Sequence, residues 1–159
     1  MPLPSGLPSY DFRRELIPSR DLPNYHHLRI VKDAQGLPAL ADPDAPKPVP
    51  LDLPAFFGSE GQQNVGPIEI EIGCGKGTFM MGYCGNHPEL PFVALEWEAE
   101  FAFYAAERLS RRPDLKHARV VLGDAAPFMR DFLPEKCAQA FHVYFPDPWP
   151  KKRHHKHRT

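Results

Sequence analysis

The chain has 159 residues, 42% of them hydrophobic, and a formal charge of −1. That suffices for one domain with a real core and excludes two large ones. Five of its 19 Lys and Arg side chains (Lys151, Lys152, Arg153, Lys156 and Arg158) crowd the C-terminal end, so the tail is strongly positive and the remainder acidic. Cys74, Cys84 and Cys137 form no CxxC pair, which argues against a disulfide framework and a zinc ribbon. No secretory signal and no apolar run of membrane-spanning length is visible, so the expected location is the cytoplasm and no membrane partner is expected.

Eleven of the 20 prolines fall within the first 65 residues, and 42–50 read Asp-Pro-Asp-Ala-Pro-Lys-Pro-Val-Pro. Proline removes backbone donors and resists helix, so residues 1–65 are expected to be a largely irregular, Pro-rich extension. Within it, residues 10–21 carry Arg13, Arg14 and Arg20 among Phe12, Leu16 and Ile17; this is either a short basic arm that touches RNA or a solvated tail. Leu53, Phe56 and Phe57 are expected to dock residues 51–57 on the domain that follows, 66–159.

From Ile68 the pattern becomes strand, turn and helix in alternation, the signal for parallel βαβ units and an α/β fold. Residues 68–72, Ile-Glu-Ile-Glu-Ile, alternate β-branched side chains and predict the first strand. A helix is expected from Thr78 to Cys84, closed by Gly85 and the Asn86-His87-Pro88 breaker. Residues 92–96 predict the second strand, 99–112 a helix with Phe101, Tyr104, Ala105 and Leu109 on one face, and Pro113 its end. Residues 118–122 predict the third strand, 125–133 a short helix with Pro127 in its first turn, and 140–145 the fourth strand.

The turn after the first strand reads Glu71-Ile72-Gly73-Cys74-Gly75-Lys76-Gly77. Gly73 permits a tight reversal, Gly75 lets ligand atoms approach the backbone, and the following helix start supplies free N–H donors. A dinucleotide site calls for G-x-G-x-x-G/A, whereas here the glycines run G-x-G-x-G behind an acid. Glu71 is poorly suited to a pyrophosphate and well suited to the ammonium of S-adenosylmethionine. Glu96 ends the second strand, where nucleotide-binding units place a carboxylate for ribose hydroxyls. Asp124 follows the third strand. Each of these acids, taken singly, is also consistent with a helix N-cap or a solvated loop. Glu71, Glu96, Asp124 and Asp147 together stand at four successive carboxyl ends of strands, the edge where open parallel sheets bind ligands.

Asp147 is the candidate catalytic residue. It lies in Phe145-Pro146-Asp147-Pro148-Trp149-Pro150, between two prolines that stiffen its loop. Trp149 is either a stacking face for a base or a wedge that holds the loop. The run Lys151, Lys152, Arg153, His154, His155, Lys156, His157, Arg158 has no acid to neutralise it, so its natural partner is phosphate. Its histidines lack a matching Cys or acid cluster, and no metal is expected. Cys74 and His142 read as packing residues.

The glycine turn and the basic run together resemble the bacterial tRNA (guanine-N7)-methyltransferase family, whose PDPWxKxRHxKRR signature is matched except that His157 stands where Arg is usual. The resemblance covers about Pro67 to Arg158. It implies a Rossmann-like class I methyltransferase fold, strand order 3-2-1-4 for the first four strands, S-adenosylmethionine as cofactor, and tRNA as partner, methylated at N7 of a variable-loop guanine. It further implies Glu71, Gly73, Gly75, Gly77, Glu96, Asp124 and Asp147 around the cofactor, Lys151 on the substrate, and Arg153, His154, His155, Lys156, His157 and Arg158 along the RNA backbone. The family continues past this signature to a seven-stranded sheet with a later Asp and a Thr-x-x-Glu-type motif, whereas this chain stops at Thr159. The expectation is a truncated gene product, an excerpt of a longer protein or an inactive remnant, with the fourth strand an open edge. A non-catalytic RNA-binding fragment and a small-molecule methyltransferase are the rival readings.

Overall fold

A computed structural model describes residues 14–32, 34–36, 48–58 and 65–144. Six strands form one sheet: β1 (Arg14–Pro18), β2 (Tyr25–Ile30), β3 (Ile68–Ile72), β4 (Phe92–Glu96), β5 (Ala118–Leu122) and β6 (Ala138–Val143), in the order β1-β2-β5-β4-β3-β6. Strands β5, β4, β3 and β6 are the third, second, first and fourth strands expected, all parallel and in the order 3-2-1-4. Parallel strands buried on both faces read as near-continuous apolar runs, and β4 and β5 are buried at every position.

Four helices cover the two faces. α2 (Thr78–Asn86) and α3 (Ala99–Ser110) pack one side over Phe92, Ala94, Ala118 and Val120. α1 (Leu53–Phe56) and α4 (Ala125–Asp131) pack the other over Ile68, Ile70, Val93 and Val121. Phe92 and Phe128 are fully enclosed, one in each layer, and burial of a ring that size stabilises the fold by about 2–3 kcal/mol. Asp52 caps α1, its Oδ1 accepting Ala55 N at 3.2 Å, and Leu53 and Phe57 are buried while Phe56 packs alongside, as the docking segment requires.

The expectation of little regular structure before residue 66 is corrected by β1, β2 and α1. β1 and β2 form an antiparallel hairpin, and β2 runs parallel to β5 through Tyr25↔Val120, His26↔Val121 and His27↔Leu122. The prolines do not prevent this because Pro18 ends the edge strand and Pro23 lies in the connecting turn, positions that lose no ladder hydrogen bond. The basic arm expected at residues 10–21 is therefore, from Arg14, an edge strand, and Arg14 Nη1 is tied to Asp131 Oδ2 at 2.6 Å. Of the proline-rich stretch 42–50, residues 42–47 lie outside the described residues.

Two further expectations shift. The buried stripe of α3 is Ala102, Ala105, Ala106 and Leu109, whereas Phe101 and Tyr104 are 38% and 48% exposed. Their rings lie to the side, beneath the Lys76 ammonium at 5.9 and 5.6 Å, a cation–π contact that offsets the cost of exposure. β6 begins two residues earlier than expected, beside a register shift in its pairing between Ile68 and Glu69. It forms the sheet edge among the described residues, with Phe141 and Val143 exposed.

Gly123 is where the hairpin meets the parallel sheet. A Cβ there would stand 2.7 Å from Leu28 Cβ, so Gly123→Ala must push β2 outward. We expect a loss of about 1–3 kcal/mol in urea denaturation, with faster amide exchange confined to β1 and β2; unchanged exchange there would contradict this packing.

Candidate functional site

The glycine turn between β3 and α2 is built from three left-handed residues, Gly73, Gly75 and Gly77, at φ 76°, 54° and 72°, a conformation that glycine adopts without steric cost. Their surroundings divide their roles. A Cβ on Gly77 would press on Ala105 and Met80 at 3.1 Å, whereas one on Gly73 or Gly75 would meet nothing within 4 Å. Gly77 seats the turn against α3 and α2, and Gly73 and Gly75 face open space.

Glu96 holds this turn to the sheet. Its Oε2 accepts Gly75 N at 2.7 Å, and its Oε1 accepts Trp97 N at 2.8 Å and Glu98 N at 2.9 Å. The backbone repeats the link, with Gly73 N and Cys74 N both donating to Leu95 O.

Glu71 has the opposite surroundings. It is 3% exposed, and its Oε2 is buried without a hydrogen-bond partner among the described residues. Burial, reinforced by the charge of Glu96, pushes its carboxyl up to about 7. The neighbouring thiols respond to the same environment: burial and the two carboxylates push Cys74 up, and Cys84 is pushed up to about 12, chiefly by burial with Glu71 adding. Neither thiol is a nucleophile at neutral pH, and both belong to the core cluster over α2 and α3. A buried, unpartnered acid beside an open turn fits a cationic group: a bound ammonium would supply the missing partner and ionise the acid.

Asp124 caps α4, its Oδ1 accepting Ala126 N at 2.9 Å. Its helix-capping role, one of the two readings open from sequence, is thus observed, and the residue also lines a groove of about 750 Å³. The same groove is lined by Trp97, 67% exposed. Sequence reasoning passed over Trp97; the signal was a tryptophan directly after a strand-terminal acid, where a flat ligand ring would find a stacking face. His142 packs between Phe79 and Tyr83, with ring centroids 5.1 and 5.0 Å away, and pairs its Nε2 with Glu69 Oε2 at 2.8 Å. Gln139 Nε2 donates to the other oxygen of Glu69 at 2.9 Å, so this network anchors β6 on β3.

The structure thus brings Glu71, Gly73, Gly75, Gly77 and Glu96 together at one carboxyl edge, with Asp124 on the neighbouring groove. Asp147, Lys151, Arg153, His154, His155, Lys156, His157 and Arg158 lie outside the described residues. No group of three or more His, Cys, Asp or Glu that could hold a metal occurs among the described residues, and none of their helices is long and apolar enough to cross a membrane.

The raised Glu71 carboxyl carries a pH signature. The unfolded chain releases this proton near pH 4.5 and the folded chain near 7, so the contribution of this group to stability is lost as pH rises between those values. Glu71→Gln should therefore match the parent protein in urea denaturation at pH 4 and exceed it at pH 8 by on the order of 2 kcal/mol. An equal difference at both pH values would contradict the assignment.

Comparison with known proteins agrees with this geometry. Residues 65–159 match the family model described as "Putative methyltransferase". The tRNA (guanine-N(7)-)-methyltransferase of Rhodopirellula baltica is 39% identical over 128 residues, covering 77% of this chain and 46% of the relative. The proteins of the same name from Myxococcus xanthus and Lactococcus lactis subsp. cremoris are 41% and 34% identical over 108 and 111 residues, covering 67% and 68% of this chain and 49% and 50% of their own lengths. The chain spans about half the length of these curated relatives. Its matched span contains the parallel strands, the glycine turn and the edge acids, and the chain belongs to this methyltransferase family.

Proposed function

We propose that the protein transfers a methyl group from S-adenosylmethionine to N7 of a guanine in the variable loop of tRNA, in the cytoplasm. The observation that carries the reading is Glu71, a buried acid with one oxygen unpartnered among the described residues, next to an open glycine turn, in a chain of a methyltransferase family. Its relatives are named for tRNA and for guanine N7.

When bound, the cofactor supplies a methyl group made electrophilic by the adjoining sulfonium. The chain's residues bind and orient. Glu71 would face the ammonium, and Gly73 and Gly75 give backbone access. Glu96 uses three N–H contacts and keeps lone-pair capacity for ribose hydroxyls. Asp124 has one oxygen engaged by its cap and the other for an exocyclic amine, with Trp97 offering its face to the purine.

Guanine N7 carries an in-plane lone pair and needs no general base, so positioning supplies most of the rate. Asp147 is assigned the guanine N1–H and amino group, a pair that adenine lacks. Lys151 is assigned to the substrate, and Arg153, His154, His155, Lys156, His157 and Arg158 to backbone phosphates. A variable loop suits this site because A-form helices hide N7 in a deep, narrow groove. A second reading, RNA binding without catalysis, draws on the run Lys151–Arg158, which carries no acid and suits phosphate.

Incubation with tRNA and methyl-labelled cofactor, followed by nuclease digestion, should yield N7-methylguanosine; label in another nucleoside would refute the proposal. Bound tRNA with no label would favour the second reading. Glu96→Ala should weaken cofactor binding in calorimetry by at least about tenfold, the loss of a charge-assisted contact of 1.5–3 kcal/mol.

A further inference from the structure

The hairpin precedes residues 65–159, which the family model matches, yet it builds one wall of the groove at the carboxyl edge. β2 pairs with β5 only as far as His27↔Leu122, so Leu28, Arg29 and Ile30 continue past the end of β5, with Val31 and Lys32 following. This overshoot lines the same groove as Asp124 and Trp97. The contact of Leu28 with Gly123, too close to admit a Cβ, holds it in place.

The charge of the wall differs from that of the domain. Residues 14–32 carry four Lys and Arg against two acids, whereas residues 65–144 carry eight against eleven. The cations of the wall are not equivalent. Arg14 is committed to Asp131 at 2.6 Å with both side chains largely covered. Arg29 reaches Glu15 only at 3.5 Å, with both side chains more than half exposed, and a loose exposed pair of this kind contributes little. Arg29 and the exposed Lys32 both line the groove.

Sheet order gives these cations a direction. The hairpin stands at one end of the sheet and β6 at the other, and the run Lys151–Arg158 follows β6 in sequence. A long polyanion presented to the carboxyl edge would meet the positive charge of Arg29 and Lys32 at the hairpin end of the sheet.

We propose that the overshooting end of the hairpin is a second RNA contact surface, with Arg29 and Lys32 on backbone phosphates of the tRNA. The inference rests on the tRNA reading above and adds a site to it. From sequence, residues 10–21 read as either a basic arm or a solvated tail; the proposal instead puts the RNA contact on residues 29 and 32, which line the groove.

The test is tRNA binding by fluorescence anisotropy across a salt series, for the parent protein, the Arg29→Gln/Lys32→Gln pair, and Lys32→Gln alone, which changes one exposed side chain and leaves the strands intact. The pair should bind tRNA about tenfold more weakly, and its plot of log K against log salt should be shallower by about 2, one unit per lost phosphate contact. Lys32→Gln alone should lose about one unit of slope, and cofactor affinity by calorimetry should stay within about twofold for every variant. Unchanged tRNA affinity and slope in a parent that binds and methylates tRNA would overturn the inference and leave the proposed function standing. A fall in cofactor affinity with no change in slope would reduce the wall to part of the cofactor pocket and also overturn it. A parent that binds no tRNA would remove the proposed function and this inference together.

Discussion

The site depends on one carboxylate. Glu96 collects N–H bonds from Gly75, Trp97 and Glu98, and so fastens the turn after β3 to the end of β4 and to the start of α3. Three left-handed glycines in five residues would otherwise make a loop with a large conformational entropy to lose. With Glu96 as the common acceptor, and Leu95 O receiving Gly73 N and Cys74 N, the turn is ordered before any ligand arrives. Preorganisation of this kind is what lets a binding site spend its contacts on the ligand instead of on its own ordering.

Glu71 shows the complementary choice. Sheet geometry places it on the same face as Ala94 and Phe92 of β4 and under α2, where apolar side chains would pack better. The acid is retained in a place that burial and Glu96 both make unfavourable for its charge. A group that is destabilising by itself and becomes satisfied with a cation beside it is a mark of a binding site. His26 on the opposite layer is a contrast: burial, with the charge of Arg119 adding, lowers it to about 4. It sits edge-on to Phe56 at 4.6 Å and acts as a neutral packing group.

The parallel core was legible because its strands are short, β-branched and ended by glycine or an acid: residues 68–72, 92–96 and 118–122 fall on β3, β4 and β5 as read. The hairpin was not, for two physical reasons. His26 and His27 interrupt the apolar alternation of β2, and it is burial against Phe56 and β5 that makes His26 an inward residue. The prolines that suggested irregular chain occupy the strand end and the turn, where they cost nothing. The aromatic residues of α3 misled in the other direction, since apolar spacing cannot show that Phe101 and Tyr104 lie under Lys76. The left-handed turn at Gly73 and Gly75 followed from the motif, while Trp97 escaped because a single exposed ring has no periodicity to betray it.

Backbone amide resonances provide the most direct measure of whether this edge holds the methyl donor. On titration with S-adenosylmethionine, the N–H signals of Gly75, Trp97 and Glu98 should shift together and saturate at one equivalent, because all three report the same carboxylate. Saturable cofactor binding that leaves these three signals in place would contradict the account.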